Sequence, residues 1–210
     1  MLAISGKSLL ERAIDFGFRL AVDDVVVSTD SHDYASLASA AGATVLGLRN
    51  ADASNSAAME PDIIDDLNLK FAEFGYNPPD IVVWIRPTFV FRSLGATKKC
   101  IFLVASGSFN ASRVVTRVDP RRYLVGDDQI TPLFDTGGAS MVRRQGMPEE
   151  VSVFNIDVFR WPSLPSPQDF LGARVGFAVA PKLCGFDIDS EEDFAIAAAL
   201  LHSFGDGVLP

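Results

Sequence analysis

The chain has 210 residues, and 27 acidic against 18 basic side chains leave a net charge of −9, which repels a phosphate backbone at long range and argues against nucleic acid as a partner. That length fits one large α/β domain, residues 1–210, with a small protruding arm; two cysteines, Cys100 and Cys184, are too few and too distant for a disulfide scaffold or a zinc site, pointing to a reduced compartment. The longest apolar runs fall far short of the ~20 residues that cross a bilayer, and Lys7, Glu11 and Arg12 interrupt the N-terminal apolar stretch, so neither a membrane span nor a signal peptide is expected and the sequence reads as cytoplasmic.

In chain order, Leu9, Leu10, Ala13, Ile14, Phe18 and Leu20 recur at spacings near three and four, predicting an amphipathic helix over residues 8–21. Val25 to Asp30 opens with a β-branched run that does not alternate, the pattern of a strand buried on both faces in a parallel sheet. Ser31 to Ala41 is alanine-rich and helical, with Gly42 suited to its C-terminal cap. Thr44 to Leu48 is a second short strand candidate, and Pro61 to Phe74 a helix with proline in its first turn. The turn Asn77-Pro78-Pro79-Asp80 precedes Ile81 to Ile85, the clearest buried strand, then a helix near Leu94 to Ala105 and a strand around Arg113 to Val118. This alternation predicts a doubly wound, Rossmann-like, mainly parallel sheet. Residues 119–168 change rhythm, with short pieces rich in Arg, Gly, Pro and Asp, and read as an arm or insertion holding one strand at Val151 to Phe159. Val175 to Ala180 is a further strand, followed by an acidic cluster and a last helix from about Glu191 to His202. There is no internal repeat and no low-complexity tract.

Ligands of open α/β sheets sit beyond the carboxyl ends of the strands. Three polar clusters follow strands here: Ser28-Thr29-Asp30, Arg86-Pro87-Thr88 with Arg92, and Gly185 to Ser190. Asp187 and Asp189, two apart, project from one face of an extended segment with α-carbons ~6.6 Å apart. One magnesium ion on one or two carboxylates, its other positions filled by water and phosphate oxygens, fits that pair. A helix N-terminus is the competing role, with Ser190 as cap and Glu191, Glu192 and Asp193 favoured by the helix dipole; both roles apply, the metal falling to Asp187 and Asp189. Arg86, Arg92, Arg143 and Arg144 are candidates for phosphate or carboxylate binding, because guanidinium makes paired hydrogen bonds with both. His32 and His202 are solitary and read as structural.

Several pieces together resemble the acylneuraminate cytidylyltransferases. Gly6-Lys7-Ser8-Leu9-Leu10 is similar to that family's Gly-Lys-Pro-Leu segment, and Val25 to Asp30 to its Val-Val-Val-Ser-Thr-Asp strand. Arg86-Pro87-Thr88 with Arg92-Ser93 resembles its Gln-Pro-Thr-Ser-Pro-Leu-Arg stretch; Pro132-Leu133-Phe134, Arg143-Arg144-Gln145 and Met147-Pro148 resemble its middle region, and Asp187 to Phe194 its Asp-Ile-Asp-Thr-Glu-Glu-Asp-Phe ending. The resemblance implies that an acidic sugar, sialic acid or a related 2-keto sugar acid, attacks the α-phosphate of CTP to give a CMP-sugar and pyrophosphate, with Mg2+ on Asp187 and Asp189. It implies substrate contacts from Ser28, Asp30, Arg49, Arg86, Thr88, Arg92, Arg144, Gln145 and Asn155, and a homodimer whose arm sends an arginine, Arg144 or the neighbouring Arg143, toward the other site.

The chain also departs from that pattern. The family opens with a strand and a glycine-rich loop ending in Lys-Asn, and residues 1–24 hold no such loop. Without that central strand, neighbouring strands are expected to keep unpaired backbone groups unless Met1 to Ser5 substitute for it. Asn50 and Ser56 to Met59 stand where Pro and an Asp-Thr-Ala-Ser-like stretch are usual, Arg86 replaces Gln, Phe89-Val90-Phe91 replaces Ser-Pro-Leu, and Asn155-Ile156-Asp157 replaces Asn-Gly-Ala. An inactive or truncated relative acting as a binding or dimer-forming subunit is therefore the alternative, and a nucleotidyltransferase for another base or sugar a third.

Overall fold

A computed structural model describes residues 3–137, 139, 141–162 and 169–209. Its elements in chain order are β1 (Ala3–Ile4), β2 (Lys7–Ser8), α1 (Leu9–Arg19), α2 (His32–Ala40), α3 (Glu60–Phe74), β3 (Ile81–Ile85), β4 (Arg92–Ser93), α4 (Leu94–Ala105), β5 (Ala111–Arg117), β6 (Tyr123–Val125), β7 (Ile130–Pro132), β8 (Val151–Arg160), β9 (Val175–Val179), α5 (Glu191–Phe204) and β10 (Val208–Leu209). None of the described helices is long and apolar enough to cross a membrane.

The helices begin where side chains can satisfy their first N–H groups. Ser8 Oγ accepts from the Glu11 N–H at 3.2 Å and the Glu11 carboxylate accepts from the Ser8 N–H at 2.7 Å, a reciprocal cap that starts α1. Ser31 and Ser93 cap α2 and α4 by the same serine-to-backbone bond. Helix α3 has Pro61 in its first turn and stops at Gly75, whose φ of +64° suits glycine.

The main sheet has the order β3-β8-β5-β9, with β8 antiparallel to both β3 and β5, and β5 parallel to β9. The expected mainly parallel, doubly wound sheet is corrected to a mixed one. The physical reason lies between β5 and β8. A parallel return needs a crossover, usually a helix, whereas here the chain leaves β5, forms the β6–β7 hairpin and comes straight back. Val151–Arg160, assigned from sequence to the 119–168 segment, is thus a strand of the main sheet, set between β3 and β5.

Helices cover both faces of this sheet. Val114, Ile156, Val158 and Ala178 pack with Cys100 and Val104 of α4 and Phe16 of α1, while Ala111 and Phe159 pack with Ile64 of α3. Because β8 runs against its neighbours, β3, β5 and β9 all point one way, and their carboxyl ends share one edge.

Two expected strands are reduced. Val25 to Asp30 and Thr44 to Leu48 form no ladder and are joined by one parallel bridge, Val26 to Thr44, where Val27 N–H donates to the Thr44 carbonyl at 2.9 Å and Thr44 N–H to the Val25 carbonyl at 2.8 Å. Ala3–Ile4 pairs with Lys7–Ser8 and does not join the sheet; Met1 and Leu2 lie outside the described residues. Among the described residues β3 therefore pairs along one edge alone, with β8, and all five of its residues are only half-buried.

Residues 119–150 project from the sheet, apart from positions 138 and 140, which with 163–168 of the expected insertion lie outside the described residues. Arg117 pairs with Glu149 and Arg122 with Glu150 across the base of this projection.

Candidate functional site

The carboxyl edge gathers the loops that follow β3 and β9. Asn155, buried on β8, ties them together: its side-chain amide donates to the Phe91 carbonyl at 3.1 Å and to the Cys184 carbonyl. Its Oδ1 is buried without a hydrogen-bond partner among the described residues. The Arg86 loop and the Asp187 loop are thus joined through one side chain.

Arg92 holds the first of these loops from inside. Its guanidinium, 1% exposed, donates to the carbonyls of Arg86 at 3.1 Å and Pro87 at 3.3 Å, and lies 5.8 Å from the centre of the Phe16 ring. Burial, with a further push from the Arg12 charge, brings its pKa down to about 9. This geometry is that of a strut folding residues 86–92 back on themselves. Thr88 is half-buried on the same loop.

Arg86 joins Glu60, Asp157 and Arg113 in a charged network. Its NH1 donates to Asp157 at 3.0 Å and its NH2 to Glu60 at 2.8 Å, while Arg113 Nε donates to the other Asp157 oxygen at 2.8 Å. Burial disfavours the Glu60 carboxylate, but the hydrogen bond and charge of Arg86 prevail, and its pKa falls below the ordinary value. Asp157, Arg113 and Glu60 were not singled out by sequence. The available signal was a charged residue in the middle of the apolar run Ile156-Asp157-Val158-Phe159: a carboxylate buried in a strand demands a cation.

The first polar cluster is organised differently. Thr29 is buried, its hydroxyl accepting from the Ser31 N–H at 3.2 Å and its carbonyl from the Arg49 N–H at 2.8 Å. Asp30 and Arg49 approach to 3.5 Å, and Ser28 Oγ is buried without a partner among the described residues. Lys70, paired with Asp66 at 2.7 Å, donates to the Leu48 carbonyl at 2.5 Å, and Asp66 accepts from the Asn50 N–H at 3.3 Å. A largely buried ion pair on α3 thereby pins the segment that carries Arg49. Ser28, Asp30 and Arg49 come together, and Arg86, Arg92, Asn155 and the Asp187 loop form a second group.

At the acidic end the helix cap and the remaining carboxylates separate. Ser190 caps α5 by accepting from the Asp193 N–H at 3.2 Å, and its hydroxyl donates to the Asp193 carboxylate at 2.6 Å. Asp187 is half-buried and accepts from its neighbour's N–H, that of Ile188, at 3.0 Å; Asp189 is exposed. Among the described residues no three His, Cys, Asp or Glu side chains gather as a metal cage. A magnesium ion that draws most of its ligands from water and substrate phosphates needs only one or two carboxylates, so this donor set suits that ion and not an all-protein site.

Arg144 and Gln145 are exposed in the projecting segment, lining a cleft of about 340 Å³ with Arg117, Glu149 and Glu150. No hydrogen bond or ion pair links them to Asp187 among the described residues.

No protein-family model and no curated protein sequence matches the chain. Solved structures do. A CMP:2-keto-3-deoxy-manno-octonic acid synthetase complexed with CTP is 14% identical with a TM-score of 0.63, over 97% of this chain and 91% of that one. A 4-diphosphocytidyl-2C-methyl-D-erythritol synthase is 15% identical with a TM-score of 0.65, over 95% and 91%. The corresponding synthase from Anaerococcus prevotii is 14% identical with a TM-score of 0.61, over 96% and 92%. The chain has the mixed α/β fold of these synthases across nearly its whole length.

Proposed function

We propose that the chain is a cytidylyltransferase-type protein that joins CTP to an acidic sugar of the 2-keto sugar acid class. The observation that carries this is the junction through Asn155 of the Arg86 loop with the Asp187 loop, at the carboxyl edge of a fold shared with a synthetase bound to CTP. In the reaction the anomeric hydroxyl of the sugar gives up its proton to solvent and its oxygen attacks the α-phosphorus; the new P–O bond forms as the bond to the bridging oxygen breaks, and pyrophosphate leaves with that electron pair. Little covalent chemistry falls to the protein, so orientation and charge stabilisation carry the rate.

Asp187 and Asp189 are the groups that would hold a magnesium ion, which when bound neutralises charge on the phosphate oxygens. Arg86 faces the anionic part of the substrate. Ser28, with its orphaned hydroxyl, and Asp30 with Arg49 orient the nucleotide side, and Asn155 keeps the two loops in register. Arg144 and Gln145 serve a second copy of the chain across a homodimer. Calorimetric titration with CTP and magnesium tests this: the chain binds, and Asp187→Ala with Asp189→Ala weakens binding by about tenfold or more, as the loss of metal ligands predicts. Equal binding by both proteins removes the carboxylates from the site, and no binding by either removes the nucleotide.

A second reading, an inactive relative serving as a binding or dimer-forming subunit, is favoured by Phe89-Val90-Phe91, a fully buried apolar run in the loop that also carries Arg86, where the resembled family has Ser-Pro-Leu. It predicts no pyrophosphate release with CTP and any 2-keto sugar acid.

A further inference from the structure

We propose that Glu60 is a built-in competitor for the anionic group of the substrate at Arg86, and that it sets how strongly this position selects a carboxylate-bearing sugar. The inference rests on the reading of Arg86 as a substrate contact. The two carboxylates that hold Arg86 are unequal. Asp157 is 4% exposed and accepts from Arg113 as well as Arg86, so withdrawing it would strand a buried charge. The Glu60 side chain is 31% exposed, and Arg86 itself 20%.

Glu60 also has somewhere to go. It is the first residue of α3, where the unsatisfied N–H groups and the helix dipole favour negative charge whether or not Arg86 is bound. Releasing Arg86 therefore moves its carboxylate from one favourable place to another closer to water. Charge fixes the kind of ligand that gains from the exchange. An acid arriving at the Arg86 guanidinium with Glu60 still in place meets a like charge on the same group and is repelled by it. Exchanging one carboxylate for the other removes that repulsion and keeps the guanidinium paired. A neutral sugar brings nothing that can replace Glu60, and the ion pair stays closed against it.

The test is calorimetric titration of 2-keto-3-deoxy-manno-octonic acid, with mannose as the neutral control, into the chain saturated with magnesium and CTP. Wild type, Glu60→Gln, Arg86→Gln and the double variant are compared. The expected result is that Glu60→Gln binds the acid about three- to fivefold tighter, the size a partly exposed ion pair supports, leaves mannose unchanged and melts slightly below the wild type, having given up the ion pair with Arg86. Glu60→Gln is expected to have no effect once Arg86 is Gln. CTP binding with equal affinity for the acid in wild type and Glu60→Gln overturns the exchange alone, as does equal tightening toward mannose or CTP binding with no affinity for the acid in any variant. Failure of every variant to bind CTP removes the proposed function and the exchange with it.

Discussion

Tyr76 and Asp24 meet across 52 positions of sequence: the tyrosine hydroxyl donates to Asp24 Oδ2 at 2.5 Å while its ring stacks on Phe71, centroids 5.2 Å apart. Burial, then the hydrogen bond and charge of Asp24, push the Tyr76 pKa from 10.0 up to about 12. Burial works against the Asp24 carboxylate, but hydrogen bonds from Tyr76, Thr44 and the Val25 N–H outweigh it and lower its pKa. The signs follow by linkage. The folded chain holds the tyrosine proton more tightly than the unfolded one, so this stability is complete below about pH 10 and is lost as pH rises toward 12. The Asp24 share is complete above its unfolded value of 3.8 and is lost as pH falls through its lower folded value. Tyr76→Phe is expected to cost about 0.5 kcal/mol at neutral pH, the low end for a hydrogen bond because Asp24 is exposed, and to flatten the alkaline fall. Urea unfolding from pH 7 to 11 measures both, and an unchanged alkaline slope would show that the hydroxyl is not the titrating group. At this scale the sequence was a partial guide. Arg86 stood out because it follows a buried strand, whereas its partners Glu60 and Asp157 are 26 and 71 positions away from it, and only the fold brings them, with the Arg113 that shares Asp157, to one place.

Among the elements, those with strong local signals were legible: the helices at 60–74 and 94–105, and the apolar run of β3, need little tertiary information. The direction of β8 was not, because strand polarity is a property of the connection and not of the strand's residues. Val25 to Asp30 illustrates a second limit: β-branched residues favour extended backbone, but a strand needs partners, and this one has a single bridge. The last element, β10, depends on a glycine whose role is steric. Gly207 has a φ of +80°, its carbonyl accepts from the Arg92 N–H at 2.9 Å, and an added Cβ would stand 2.7 Å from the Val90 carbonyl oxygen. Gly207→Ala is therefore expected to destabilise the chain by about 1–3 kcal/mol through backbone strain at a fixed carbonyl. Because β10 pairs with β4 directly before α4, the damage should reach the Arg92 strut. Amide exchange at Arg92 and Ser93 measures it; protection equal to wild type would mean that the β4–β10 pair is not needed to hold the loop.

For the whole molecule, the sequence conveyed that residues beyond 118 leave the regular rhythm, but not what the projecting segment does with its apolar side chains. The β6–β7 hairpin exposes Leu124 at 59%, Val125 at 85% and Ile130 at 62%. An isolated two-stranded hairpin is marginal in water, and exposed aliphatic side chains on both of its strands add a cost that a second surface could remove. A second copy of the chain is the occupant the proposed homodimer requires, with each projection contributing the same patch to an isologous contact. Net charge opposes it: two chains at −9 each repel, so association through this apolar patch should strengthen as salt screens that repulsion. Sedimentation at low and high salt is expected to give a concentration-dependent dimer, favoured at high salt, and Val125→Thr with Ile130→Thr, which trims the apolar patch without setting like charges across this cross-strand pair, to shift it to monomer. Since both side chains are already solvent-exposed and threonine suits a strand, the variant should keep the wild-type melting temperature at monomeric concentrations. A wild-type chain that stays monomeric at every concentration and salt would instead leave Arg144 to act, if at all, within its own chain.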